Sequence, residues 1–240
     1  MKSLMLIAAF AALGAAQVYN GSFLNLRAPI SGMDQGDIEF TMNHRFFGAA
    51  FKNDPDESFF GLDDGANVRF GVRYNLRHDI TLGASHARLG SRNTITACWT
   101  GYPADNLSVV LEGGWSTMKP TGSSDRENGV LATAAVSLFF LQDKLQPVFN
   151  YAIDDNRDLS GVGMGLSFQA AERLALFGAF YPADNEEAEH DCFEFGVRQN
   201  TWGHQFLLGF TNSSGIGIYD QFQGSNTQDL SFALSIRRLF

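Results

Sequence analysis

The last eleven residues of the chain alternate apolar and polar side chains with a period of two. One face of the segment 230–240 is apolar and carries Leu230, Phe232, Leu234 and Ile236. A period of two places successive side chains on opposite faces of a β-strand. The segment ends on an aromatic residue, Phe240. A two-faced final strand of this kind is typical of the strand that closes a transmembrane barrel by pairing with the first strand, so that no edge is left in lipid.

The same period recurs upstream, and it predicts about twelve strands in total. The predicted strands are 36–46, 66–74, 79–86, 93–100, 107–116, 130–141, 146–153, 161–169, 174–181, 192–199, 205–212 and 230–240. The connections between them alternate between short and long, as in outer-membrane barrels with short periplasmic turns and longer outer loops. The predicted fold is therefore all-β: a transmembrane antiparallel up-and-down β-barrel of about twelve strands.

The first two predicted strands have one antiparallel register that satisfies both of their faces. If Phe46 lies opposite Ala66, Met42 meets Phe70 on the apolar face. The same register places the carboxylate of Glu39 opposite the guanidinium of Arg73 on the polar face. The polar cluster that results has five members: Glu39, Asn43, Arg45, Arg69 and Arg73. We interpret it either as a selectivity patch or as an ion-pair network that fills a narrow barrel.

Charge decides which face of the strands meets lipid. The parity that carries the charges and amides contains Glu112, Asn150, Glu194, Arg198 and Arg237. A charge facing lipid costs roughly 2 to 4 kcal/mol at the bilayer midplane, so this parity is predicted to line the lumen. Aromatic residues near strand ends are predicted to form interfacial girdles: Tyr74, Trp99, Trp115, Tyr151, Phe180 and Tyr181. Gly161, Gly163 and Gly165 leave either an open lumenal groove or room for bulky neighbours.

The N-terminus predicts export. Residues 1–16 combine Lys2, an apolar run and small residues before Gln17, which is the pattern of a secretory signal peptide. Residues 17–35 are predicted to be a periplasmic lead-in segment, with a short lumen plug as the alternative. Residues 36–240 form the predicted barrel. Together these features place the protein in the outer membrane of a Gram-negative bacterium.

Composition excludes other classes of protein. The net charge of -9 and a pI near 4.9 argue against nucleic acid as a partner. After the N-terminus no apolar run approaches the ~20 residues of a spanning helix. Lysine is scarce, whereas a soluble β-barrel usually solvates its outer face with lysine and glutamate. The two cysteines, Cys98 and Cys192, fall on non-adjacent predicted strands, so no disulfide is expected.

Several local patterns resemble one known family. They are Glu39-Phe40, His44-Arg45-Phe46, Phe60-Gly61-Leu62-Asp63, Arg69 with Gly71 and Tyr74, Gly203-His204 with Phe206, Phe210-Thr211-Asn212-Ser213, Gln221-Phe222, and the closing segment from Phe232 to Phe240. From about Gly36 to its end the chain resembles the β-barrel family catalogued as domain of unknown function 5777. The resemblance implies an outer-membrane-type barrel and implies no activity.

Two functional hypotheses remain open for a membrane barrel, beside a third alternative, a secreted soluble barrel of the lipocalin type. In the first, the protein is a narrow channel or transporter for small hydrophilic solutes. In the second, it is a closed structural or assembly barrel that acts through its outer loops and an unidentified protein partner. No cofactor, metal site or catalytic set is predicted, because no serine and histidine have the spacing of an outer-membrane phospholipase, and the acidic segment 184–191 matches no calcium-loop pattern. The expected partners are outer-membrane lipids and the barrel assembly machinery.

Overall fold

The computed structural model describes residues 23–29, 33–51, 59–119, 124–186 and 188–240, and these residues form one closed barrel. Its strands are β1 (Ile38–Ala49), β2 (Ala66–Arg77), β3 (Ile80–Ala87), β4 (Arg92–Ala104), β5 (Leu107–Met118), β6 (Glu127–Leu138), β7 (Leu145–Asp154), β8 (Leu159–Ala171), β9 (Leu174–Tyr181), β10 (Cys192–Thr201), β11 (His204–Thr211) and β12 (Ser231–Leu239). Every strand pairs antiparallel with its sequence neighbours, and β12 pairs with β1. The predicted twelve-stranded architecture is confirmed.

The register of the first hairpin also agrees with the prediction. Glu39 lies opposite Arg73 and Met42 lies opposite Phe70 across β1 and β2. At the barrel seam, the closing strand places Ile236 opposite Met42. Apolar and polar faces therefore match on both sides of β1 from Glu39 to Arg45, and the register with β12 shifts between Arg45 and Ala49.

The barrel has two ends with different connections. At one end, which we call the turn end, four hairpins are joined by two residues each: 78–79, 105–106, 172–173 and 202–203. The first strand begins and the last strand ends at this end, where the backbone N–H of Ile38 donates to the carbonyl of Phe240 over 3.1 Å. The other end, the loop end, carries the longest connections, 50–65 and 212–230.

The outer surface is apolar and the inner face is polar, as predicted. Ile95, Leu208 and Val162 are exposed, whereas Glu112 and Glu194 are buried against the lumen contents. The five predicted girdle residues Tyr74, Trp99, Trp115, Tyr151 and Phe180 are exposed on the outer surface.

The prediction for the sixth girdle residue, Tyr181, is wrong. Tyr181 is fully buried in the lumen. Its neighbour Phe180 occupies the outward position, and the period of two turns the next side chain inward. Tyr181 lies opposite Cys192 of β10, which also points to the lumen and is buried.

Two segments that are not strands fill much of the lumen. The first is the inner segment, residues 23–29, in which Phe23, Leu24 and Leu26 are buried. This corrects the expectation of a periplasmic lead-in over 17–35, because burial of these apolar side chains draws the described part of that stretch into the barrel. The predicted signal peptide, residues 1–16, lies outside the described residues.

The second filling segment is the inward loop, residues 212–230, which connects β11 to β12. It contains a single helical turn, α1 (Ile218–Gln221), and buries the side chains of Ile218 and Phe222. Single-turn 3-10 helices span Phe59–Gly61 and Leu89–Ser91. In the described ranges, none of the helices has the length and apolar character needed to cross a bilayer.

Candidate functional site

Polar contacts help to hold the inner segment in the lumen, and Asn25 and Arg27 make nearly all of those described. Its backbone N–H and its side-chain amide donate to the two carboxylate oxygens of Glu194, over 3.2 and 2.6 Å. Its amide oxygen accepts hydrogen bonds from Arg45 at 3.3 Å and from the backbone of Gly217 at 2.8 Å. One side chain thus joins the inner segment to β1, β10 and the inward loop.

Arg27 fixes the other end of the inner segment. Its guanidinium donates to one oxygen of Glu112 over 2.9 and 2.6 Å, and Glu112 is buried. Its backbone N–H and carbonyl form a pair of hydrogen bonds, 2.7 and 3.0 Å long, with the side chain of Asn150. Glu112 and Asn150, which the sequence places on the lumenal face, therefore hold the inner segment through hydrogen bonds.

The glycine stripe of β8 makes room for these lumen contents. A Cβ atom on Gly161 would lie 2.7 Å from the ring of Phe222, and one on Gly163 would lie 2.7 Å from Leu26. A Cβ on Gly165 would meet Leu26 and, at 2.8 Å, Phe23. Of the two alternatives that the sequence left open, the structure shows the second: the stripe accommodates bulky neighbours.

A closed ring of four charged side chains anchors the inward loop. Asp220 of α1 accepts hydrogen bonds from Arg92 at 3.0 Å and Arg157 at 2.8 Å. Asp154 at the end of β7 accepts from the same two arginines over 2.7 and 2.6 Å. Burial opposes ionisation of Asp220, but Arg157 and Arg92 outweigh it and hold the pKa of this carboxyl below its usual range.

The five members of the predicted polar cluster do not form one contact network. Glu39 pairs with Arg73, and the nearest atoms are 3.4 Å apart. Asn43 hydrogen-bonds the hydroxyl of Ser235 across the barrel seam. Arg45 turns to the inner segment, where it donates to the carbonyl of Leu24 and to Asn25.

Arg69, the fifth member, points along the wall towards the loop end. It donates twice to the Ser85 hydroxyl, over 3.0 and 2.8 Å, and weakly to the Ile216 carbonyl at 3.4 Å. The filling segments therefore supply partners for two members of the cluster, Arg45 and Arg69, while the other three have partners on the barrel strands.

One side of the lumen is not filled. Next to β1–β4 lies a cavity of about 60 Å³, the upper cavity, which extends to Ile216 and Gly217 of the inward loop. A second cavity of about 50 Å³, the lower cavity, extends to His78 and Asp79 at the turn end. The two cavities share four lining residues: Leu26, Arg27, Arg73 and Arg237.

The carboxylates of the acidic loop between β9 and β10 accept hydrogen bonds from backbone N–H groups of the loop itself and of the neighbouring strand β8. Asp184 accepts from the N–H of Ser160 at 2.8 Å, and Asp191 accepts from that of Ala183 at 3.0 Å. Within the described ranges, no three acidic, histidine or cysteine side chains converge as ligands for a metal ion.

The comparison with protein families agrees with this architecture. Residues 24–100 match the family model described as a membrane bound beta barrel domain, DUF5777. The match covers about a third of the chain, and its description agrees with the closed twelve-stranded barrel of the structure. The matched region runs from the inner segment through most of β4 and contains all five members of the polar cluster. The resemblance seen in the sequence is thereby confirmed over residues 24–100.

Three solved structures are similar to this chain at low sequence identity. The KdgM porin is 10% identical with a TM-score of 0.52, and the match covers 85% of this chain and 99% of that one. Omp33 of Acinetobacter baumannii is 9% identical with a TM-score of 0.49, over 86% and 99% of the two chains. Outer membrane phospholipase A of Escherichia coli is 8% identical with a TM-score of 0.46, over 86% and 90%. No match was found among the curated proteins.

Sequence reasoning gave a lumen plug only as the alternative for the inner segment, and it missed the inward loop as part of the site. The signal was present in their apolar residues: Phe23, Leu24 and Leu26 lie in one, and Ile216, Ile218 and Phe222 in the other. Large apolar side chains are rarely so frequent in a solvated loop, so their frequency indicated that both segments are buried. Their position in the lumen depended on contacts far apart in the sequence.

Proposed function

We propose that the protein is a narrow channel of the bacterial outer membrane for small hydrophilic solutes, with the inner segment as its plug. The observation that carries the proposal is the unfilled side of the lumen. There, two adjoining cavities with polar and charged linings extend from the inward loop to the turn end. A barrel whose interior served packing alone would be expected to close this side with side chains.

The width of the passage supports small solutes only. A water molecule needs about 10–15 Å³ of such volume, so each cavity holds about four. Loosening the inner segment would widen the passage, and the polar contacts of Asn25 and Arg27 that help to hold it can be exchanged for water. The fold is shared with a barrel named as a porin, although a fold alone does not determine function.

A second candidate function has an observation in its favour. The inner segment is held from β1, β5, β7 and β10 and by the inward loop, which suits a permanently closed structural barrel. Such a barrel would act through its loops and a protein partner. In either case we propose insertion by the outer-membrane barrel assembly machinery, and we propose no enzymatic activity.

Planar-bilayer recordings of the refolded protein separate the two candidates. For the channel we expect small discrete current steps from the wild type and larger ones from the double variant Asn25→Ala/Arg27→Ala, which loses the main polar contacts of the inner segment. Arg126→Ala is the control, because Arg126 is an exposed loop residue that contacts neither cavity. Silence from both proteins, when folded and inserted, would overturn the channel and favour the structural barrel.

A further inference from the structure

The upper cavity has a strongly positive lining. Four arginines line it, Arg27, Arg69, Arg73 and Arg237, and no acidic residue is among the described residues that line it. The rest of the lining combines neutral polar residues, such as Ser85 and Thr94, with apolar ones, such as Leu24 and Val72. This set of donors is what proteins use to hold anions in pores.

The carboxylates near the cavity neutralise only part of this charge. Glu112 is hydrogen-bonded to Arg27 at 2.6 Å, and Glu39 lies 3.4 Å from Arg73. The hydrogen-bond partners described for Arg69 are neutral oxygens, those of Ser85 and Ile216. An excess of positive charge therefore faces the cavity, in a low-dielectric interior where its attraction for an anion is poorly screened.

We infer that the upper cavity is an anion-binding site and the selectivity filter of the proposed channel, with Arg69 as its central ligand. Only the role as a selectivity filter rests on the proposed function; the anion-binding site does not. With room for about four waters, the cavity accepts a halide ion or a single carboxylate or phosphate group, and it excludes larger anions while the inner segment is in place. No carboxylate is among the hydrogen-bond partners described for Arg69, so we expect the preference for anions to depend mostly on that side chain.

Reversal potentials in a potassium chloride gradient test the filter. We expect the wild type to prefer chloride over potassium. Arg69→Gln should lower the chloride-to-potassium permeability ratio several-fold, and Arg69→Lys, which keeps the charge, should retain most of it. Arg126→Gln removes one positive charge outside the cavities and should leave the ratio unchanged. An unchanged ratio in Arg69→Gln, or cation preference in the wild type, would overturn the filter.

Anomalous diffraction from crystals soaked in bromide tests the site independently of conduction. The expected result is a bromide ion in the upper cavity within contact distance of Arg69, and its loss in crystals of Arg69→Gln. If bromide binds there in a protein that conducts nothing, the site stands and the channel fails. If the protein conducts without anion preference and no bromide enters the cavity, the channel stands and this inference fails.

Discussion

At the scale of single residues, Asp220 joins a loop to the barrel wall. It binds Arg92 and Arg157, and both arginines also bind Asp154, so two carboxylates and two guanidinium groups close a ring. The side chains of the ring are at most 15% exposed. Removing one member of such a buried set leaves the opposite charges uncompensated, which costs about 3 to 5 kcal/mol.

We therefore expect Asp220→Asn to lower the free energy of unfolding by about 3 kcal/mol at pH 7. The pKa of Asp220 is depressed in the folded protein, so its ionised form stabilises the fold above the ordinary pKa of 3.8. This stabilisation is lost as the pH falls through the lower folded-state value. Urea unfolding of the refolded protein between pH 7 and pH 3 should show the difference between wild type and variant shrinking below about pH 4.

Asp155→Asn is the matched control for this experiment. Asp155 is an exposed neighbour on the loop that follows β7, and its carboxylate lies outside the ring. We expect a change within about 0.5 kcal/mol for it. A gap between wild type and Asp220→Asn that stayed constant down to pH 3 would show that the carboxylate charge of Asp220 is not what stabilises the loop.

The polar cluster shows how far sequence reasoning reaches at this scale. The pairing of Glu39 with Arg73 could be predicted because both lie on neighbouring strands, and strand register follows from the period of two. The partner of Arg45 could not, since it lies on the inner segment about twenty residues upstream. The pairing of Asp154 with Arg92 could not be predicted either, because the two residues are 62 positions apart in the sequence.

At the scale of elements, the inner segment and β8 fit each other by shape. Three glycines on alternate positions of β8 face Phe23, Leu26 and Phe222. The absence of side chains on this stripe lets two filling segments approach the wall closely. The stripe itself could be read from the sequence, but its occupants could not, because a period of two describes strands and carries no information on which distant segment enters the lumen.

We expect Gly163→Val to displace the inner segment. A Cβ atom there would lie 2.7 Å from Leu26 and 2.9 Å from Tyr181, so the added side chain overpacks the lumen at a cost of about 1 to 3 kcal/mol. Hydrogen–deuterium exchange should report faster exchange of the backbone amides of residues 23–29, while the strand amides stay protected.

Gly113→Val is the control for Gly163→Val, because it makes the same change from glycine to valine within a strand. A Cβ atom on Gly113 meets nothing within 4 Å, since this glycine lies on the outer face of β5. We expect wild-type exchange of residues 23–29 in this control. Equal exchange in Gly163→Val and Gly113→Val would show that the inner segment does not depend on the glycine stripe.

At the scale of the whole molecule, the two faces of every strand meet different environments. The outer parity is apolar with an aromatic residue near many strand ends, and the inner parity is polar and charged. This separation was readable from the sequence because it repeats in each of twelve strands and needs no long-range information. Adjacent residues of β11 illustrate it: Leu207 is buried in the lumen, whereas Leu208 is exposed on the outer face.

The outer face is therefore expected to tolerate charge in a way that depends on depth. Leu208 lies at the middle of β11, and Leu208→Arg should cost roughly 2 to 4 kcal/mol of unfolding free energy in a phospholipid bilayer. Tyr74→Arg lies on the same face near the turn end and should cost about 0 to 1 kcal/mol, because the guanidinium reaches the interface. The wild-type chain already carries one arginine at such a position, Arg238 near the end of β12. Its guanidinium carbon lies 5.2 Å from the centre of the Phe240 ring.

Urea titrations of the two variants in lipid vesicles measure the depth profile. In a barrel surrounded by water, an arginine on either exposed position would be nearly neutral, because the guanidinium would stay hydrated at both depths. A cost at Leu208 that exceeds the cost at Tyr74 by about 2 kcal/mol would thus place the middle of β11 in the hydrocarbon core. Equal costs at the two positions would mean that this face of the barrel does not span the bilayer.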